Sequence, residues 1–130
     1  MTYELAATAM AAAEKHARDN DFAMTIRIVD QNNNVVMVHR LNDASPFTAN
    51  IAERKALTVI GSKMTSAEYG RKVQAGETAE IENAVTFGGG VPVYRDGKMI
   101  GAIAASGGTP EEDESVSTAG ANAIGSISMN

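Results

Sequence analysis

The apolar and polar positions change period several times along the chain, and each change marks an element. From Thr2 to about Asp19, the residues Tyr3, Ala6, Met10, Ala13 and Ala17 fall on one helical stripe, with Thr2 placed as an N-cap. This predicts an alanine-rich helix suited to close packing. "FAMTIRIVD" then alternates, Met24, Ile26 and Ile28 against Thr25, Arg27 and Val29, and "VVMVHR" continues in β-favouring residues after "QNNN". Asparagine tolerates the left-handed backbone of tight turns, so the pair reads as a hairpin.

A second helical pattern runs from about Thr48 to Ile60, with Ile51, Ala52, Lys55, Ala56 and Val59 near one face. It carries a lysine inside an apolar stripe. The next stretch is polar and weakly periodic, with a short helix expected from Ser66 to Lys72 and an irregular connection after it. "VPVYR" and "KMIGAIAAS" are joined by Asp96-Gly97, a strong hairpin signal, and a small-residue helix is expected from Pro110 to about Ser126. Two hairpins separated by helices predict an α+β fold in one domain, residues 1–130, whose sheet is mainly antiparallel.

Composition narrows the possible functions. The 130 residues are 44% hydrophobic, enough for one domain with its own core. The chain has no cysteine, which removes disulfides, thiolate metal sites and thiol nucleophiles together. A net charge of −5 without a Lys/Arg-rich stripe argues against nucleic acid as a partner. No apolar run approaches the ~20 residues of a membrane span, and the expectation is a soluble, cytoplasmic protein.

Seven of the twelve glycines lie between Phe87 and Glu114, five of them in two bursts on either side of the second hairpin and two within it. Gly88, Gly89 and Gly90 precede a strand, whereas the glycines of Rossmann and Walker loops follow one and open a helix, so that route to nucleotide binding is unsupported. Three adjacent glycines are entropically costly and imply close approach of another element or of a ligand. In Ser106-Gly107-Gly108-Thr109, the threonine caps a helix, Pro110 suits its first position and Glu112 completes a capping box. This turn reads either as simple strand-to-helix architecture or as a set of free N–H groups that hold an anion, a carboxylate more readily than a phosphate because Glu111, Glu112 and Asp113 crowd the first turn.

"FGGGVPVYRDGKMIGAIAASGGTPEEDE", together with "IVDQNNNVVMVHRLNDAS" and "NIAERKALT", resembles the GlcG/HbpS family, which is also found as the C-terminal domain of PduO-type proteins. The resemblance covers nearly the whole chain. It implies a profilin-like fold with a five-stranded antiparallel sheet flanked by helices, assembly into a homo-oligomer, and haem or a corrinoid as possible cofactor. Two positions that are anionic in the family pattern are neutral amides here, Asn42 and Asn50, which removes carboxylates from any iron-binding role at those places.

The candidate chemistry is sparse. His16 lies about a quarter turn off the first helix's apolar stripe, as a half-exposed surface residue or, on the resemblance, an axial haem ligand at a subunit boundary. His39 and Arg40 stand at a strand end, where ligands are often held. Lys55 reads as a snorkelling lysine from the pattern and as a pocket cation from the resemblance. Asp113 is explained as a first-turn acid of the last helix. No metal-ligand spacing and no Ser/His/Asp order stands out. Three readings follow: a small-ligand or tetrapyrrole-binding accessory protein, an enzyme acting on a small organic acid through His39, Arg40 and Lys55, and a structural partner in a homo-oligomer. The sharpest expectation is an anionic ligand held by Lys55, Arg40 and the Ser106–Thr109 turn in one pocket.

Overall fold

A computed structural model describes residues 1–129. The elements run α1 (Tyr3–Asp19), β1 (Thr25–Asp30), β2 (Val35–Arg40), α2 (Phe47–Ser62), α3 (Ser66–Gln74), β3 (Gly90–Arg95), β4 (Lys98–Ser106) and α4 (Pro110–Asn122). Both anticipated hairpins form, and β1 also pairs with β4, giving one antiparallel sheet ordered β2-β1-β4-β3. The α+β architecture is as expected, but the described residues hold four strands, not the five implied by the resemblance. Where a further strand would flank β3, a single residue pairs instead: Ser126 and Tyr94 exchange two backbone hydrogen bonds of 2.7 and 2.9 Å. The last helix therefore stops at Asn122, short of the anticipated Ser126.

Alternation along the strands builds a core on each face of the sheet. Ile26, Ile28, Val91, Val93, Ile103 and Ala105 point toward α1 and α4, where Ala6, Ala9, Met10, Ala13, Val116 and Ala121 close over them. On the other face, Val29, Ala102 and Ala104 meet Ala56 and Val59 of α2. Small residues let α1 lie directly on α4, so the alanine faces suited by pattern to contacts between subunits are used within the chain. Each fully buried Ile or Val side chain removes apolar surface worth about 1.5–3 kcal/mol.

Local chemistry sets the element ends. Thr2 and Thr109 accept from the backbone N–H groups of Leu5 and Glu112, and Glu112 returns a hydrogen bond from the Thr109 N–H, completing the capping box. Asp30 accepts from the N–H groups of Asn32 and Asn34, and Asn33 takes the left-handed conformation at φ 64°.

The connection over residues 75–89 has no helix or strand. Side chains of α2 and α3 secure it. The Thr58 hydroxyl accepts from Val85 N–H at 2.9 Å, the Tyr69 hydroxyl from Ile81 N–H at 2.6 Å, and Arg54 donates to the Asn83 carbonyl at 3.0 Å. Among the described residues, no helix is long and apolar enough to cross a membrane.

Candidate functional site

Two regions collect the residues singled out by pattern. The first lies where β3 begins and β4 ends. Lys55 leaves the inner face of α2 and is 1% exposed. Its ammonium donates to Asp113 Oδ2 at 2.7 Å and to the Ala105 carbonyl at 2.9 Å, and sits 5.4 Å from the centre of the Phe87 ring. The stem is enclosed rather than snorkelling to water. Burial pushes the lysine below its ordinary pKa, while the hydrogen bond and charge of Asp113 pull it back up. Asp113 spends its other oxygen on the Gly108 N–H at 2.8 Å.

Two glycines of the triplet, Gly89 and Gly90, make room for this node. Gly89 has a φ of 134°, and a Cβ there would stand 2.3 Å from Lys55 Nζ and 2.8 Å from the Ala105 carbonyl oxygen. A Cβ on Gly90 would meet the Lys55 carbonyl at 2.9 Å. Only bare backbone lets the lysine and α2 come this near to β3. The Gly89 carbonyl accepts from Ala105 N–H and from the Ser117 hydroxyl, and the Ser66 hydroxyl accepts from Gly90 N–H. Gly88 joins Phe87, Pro110 and Arg71 around a shallow cavity of about 300 Å³.

Of the two readings of the Ser106–Thr109 turn, the geometry favours the architectural one at two positions: Gly108 N–H goes to Asp113 and Thr109 N–H to Glu112, while a Cβ on Gly107 would run into the Ala23 carbonyl. The anion at this helix start is supplied by the chain itself, and it is the counter-ion of Lys55. Ser106, buried, pairs with Thr25 across β1–β4. Asp113 thus does more than favour the helix dipole, a role that its position in the sequence could not disclose.

The second region lies at the β2 edge of the sheet, where a cavity of about 830 Å³ is bordered by Glu14, Arg18, Phe22, His39, Arg40 and Leu41. His39 pairs across β1 with buried Ile26, which directs it to the α1 face. There its Nδ1 bonds to Glu14 Oε1, and Arg18 donates to the other oxygen of Glu14 at 3.1 Å. Arg40 is anchored by one N–H on the Ala44 carbonyl at 2.7 Å, leaving further guanidinium donors. His39 and Arg40 both border this cavity, while Lys55 is enclosed elsewhere. Of the three parts expected in one pocket, Lys55 and the glycine turn meet through Asp113, while Arg40 borders the other cavity. Glu14 and Arg18 were not singled out by pattern; their i,i+4 spacing signalled only a surface pair. His16, the other histidine, packs between α1 and α4 with Nε2 3.1 Å from the Ser115 hydroxyl.

Comparison with known proteins agrees with this architecture. The chain is 30% identical over 108 residues to Escherichia coli protein GlcG, covering 82% of this chain and 81% of that one. It is 31% identical over 119 residues to Citrobacter freundii corrinoid adenosyltransferase PduO, covering 87% of this chain but only 36% of that protein. A crystal structure of a Streptomyces reticuli HbpS double mutant superposes with a TM-score of 0.87 at 28% identity, covering 96% of this chain and 87% of the other. A crystal structure of a PduOC–haem complex gives 0.87 at 28% identity, covering 95% and 94%. A family model described as haem degrading protein HbpS-like matches residues 1–122, and the chain belongs to that HbpS-like family.

Proposed function

We propose that the protein is a haem-binding accessory protein, and that the ligand occupies the cavity at the β2 edge. The observation that carries this reading is the donor set around that cavity. A half-exposed imidazole, His39, borders it together with Arg18 and Arg40, with Phe22 and Leu41 as apolar wall. Iron porphyrin needs an axial donor, apolar contact for the ring and cations for two propionates, and these residues fit it. The volume of about 830 Å³ lies within the range of ligand pockets. Arg18 and Arg40 would hold the carboxylates, while Phe22 and Leu41 would shield one edge of the macrocycle. Bound haem would supply a redox-active iron. Support comes also from the family described as haem degrading and from a solved PduOC–haem complex of the same fold.

The open side of the cavity and the exposed Tyr3, Val35, Val38 and Phe47 favour a homo-oligomer; the sheet is read as a four-stranded variant of the profilin-like fold, and the cytoplasm as its location. A corrinoid is the alternative ligand, because one relative is a corrinoid adenosyltransferase. Titrating the purified protein with haemin, and separately with cobalamin, tests the reading by absorbance. A saturable Soret shift with haemin is expected. A featureless haemin titration rejects it, and a response to cobalamin alone transfers the site to corrinoids. Light scattering at 13.6 kDa would reject the oligomer.

A further inference from the structure

We infer that His39 presents its Nε2 to the metal of the tetrapyrrole, and that Glu14, braced by Arg18, is the positioning residue that makes this nitrogen the donor. The inference rests on the haem reading above and adds the atom and its control. Glu14 is acceptor-only as a carboxylate, so its contact with Nδ1 requires the proton on that nitrogen. The lone pair of the neutral ring is then on Nε2. Among the described residues, Nε2 of His39 has no hydrogen-bond partner, and the ring's side chain is 46% exposed at the cavity wall. The carboxylate is the sheltered member at 14% exposure, and Arg18 occupies its second oxygen, so neither oxygen is left to compete for the metal.

This is the arrangement in which histidines ligate metals, one nitrogen tied to a carboxylate while the other faces the metal. The tie orients the ring and makes the free nitrogen more basic. The chain has only two histidines, and the other lacks this arrangement. His16 has Nε2 committed to Ser115, between two packed helices. The donor is therefore chosen by an interaction between α1 and β2, 25 residues apart.

The first test needs no ligand. Long-range ¹H–¹⁵N correlation spectra of the apo protein at alkaline pH should show His39 as the Nδ1–H tautomer. The Nε2–H tautomer would overturn the inference. The second test compares haemin binding by the parent, His39→Ala, His16→Ala and Glu14→Gln. His39→Ala should lose the imidazole-ligated spectrum, weaken affinity by about 10- to 100-fold, and recover the spectrum with added imidazole. His16→Ala should match the parent. Glu14→Gln keeps an acceptor for Nδ1–H but not its charge, so it should retain the spectrum and raise the iron midpoint potential. A parent that binds no haemin removes the haem reading and this inference with it. A parent that binds, together with His39→Ala of unchanged spectrum and affinity, removes this inference alone.

Discussion

The ammonium of Lys55, on the helix covering one face of the sheet, lies 2.7 Å from the carboxylate of Asp113, on the helix covering the other. The contact passes around the end of β3 and β4 and holds the two layers together. Both groups are nearly dry, at 1% and 4% exposure, so the pair is costly to desolvate and costlier to break. Lys55→Met should lower stability by about 3–5 kcal/mol in urea unfolding, since it strands a buried carboxylate. Adding Asp113→Leu should recover part of that loss. A single-variant loss under about 1 kcal/mol would class the pair with exposed ion pairs.

The glycine bursts differ in what they tolerate. Gly89→Ala places a methyl against Lys55 Nζ and the Ala105 carbonyl, and should cost at least about 1–3 kcal/mol, the range for an overpacked site. Gly97 has a φ of 78° with nothing within 4 Å of its absent Cβ, and Asn is a residue that accepts this conformation. Gly97→Asn should therefore stay within about 0.5 kcal/mol of the parent, as benign surface changes do. Equal thermal destabilisation of the two variants would contradict the role given to the triplet.

The turn at Asp30 contributes an acid dependence to stability. The Asn34 backbone N–H holds the Asp30 carboxyl below its ordinary value; burial opposes it, and the Asn32 N–H and the Asn34 side chain add to the lowering. A depressed carboxyl stabilises fully above the unfolded value of about 3.9 and loses that contribution as pH falls through its lower folded value. Asp30→Ala should therefore be less stable than the parent near neutrality, by under about 1 kcal/mol for so exposed a group, with the gap narrowing in acid. Chemical denaturation at several pH values reads this directly. A gap that widens in acid would contradict the assignment.

Thr109 and Glu112 form a reciprocal cap at the start of α4. Thr109→Ala should cost about 1 kcal/mol. Because each residue satisfies the other's backbone, Thr109→Ala/Glu112→Ala should lose less than the sum of the single changes. Strict additivity in thermal melts would show the two bonds to be independent.

Much of the local structure is legible in the sequence, because capping, period and turn residues act over a few positions. Thr2, Thr109, the Asn33 turn and Asp96-Gly97 all fall where pattern places them. The candidate sites are less legible, because their contacts join residues far apart. Nothing around Lys55 announces a partner 58 residues on, and Asp113 already has a sufficient local explanation as a first-turn acid. His39 and Arg40 are visible at a strand end, yet Glu14 becomes their neighbour only when α1 packs across β2. The fifth strand that the resemblance implies, and that a pattern allowing two or three strands in the second half leaves room for, is absent among the described residues, where the single Tyr94–Ser126 pairing leaves no alternating run to read.

Up to residue 88, the connection after α3 is tied to side chains of α2 and α3 instead of to a neighbouring strand. It therefore has no cooperative unit of its own. The amides of Ile81 and Val85 become isolated slow-exchanging protons, and the rates at which they exchange report the opening of helices to which they do not belong.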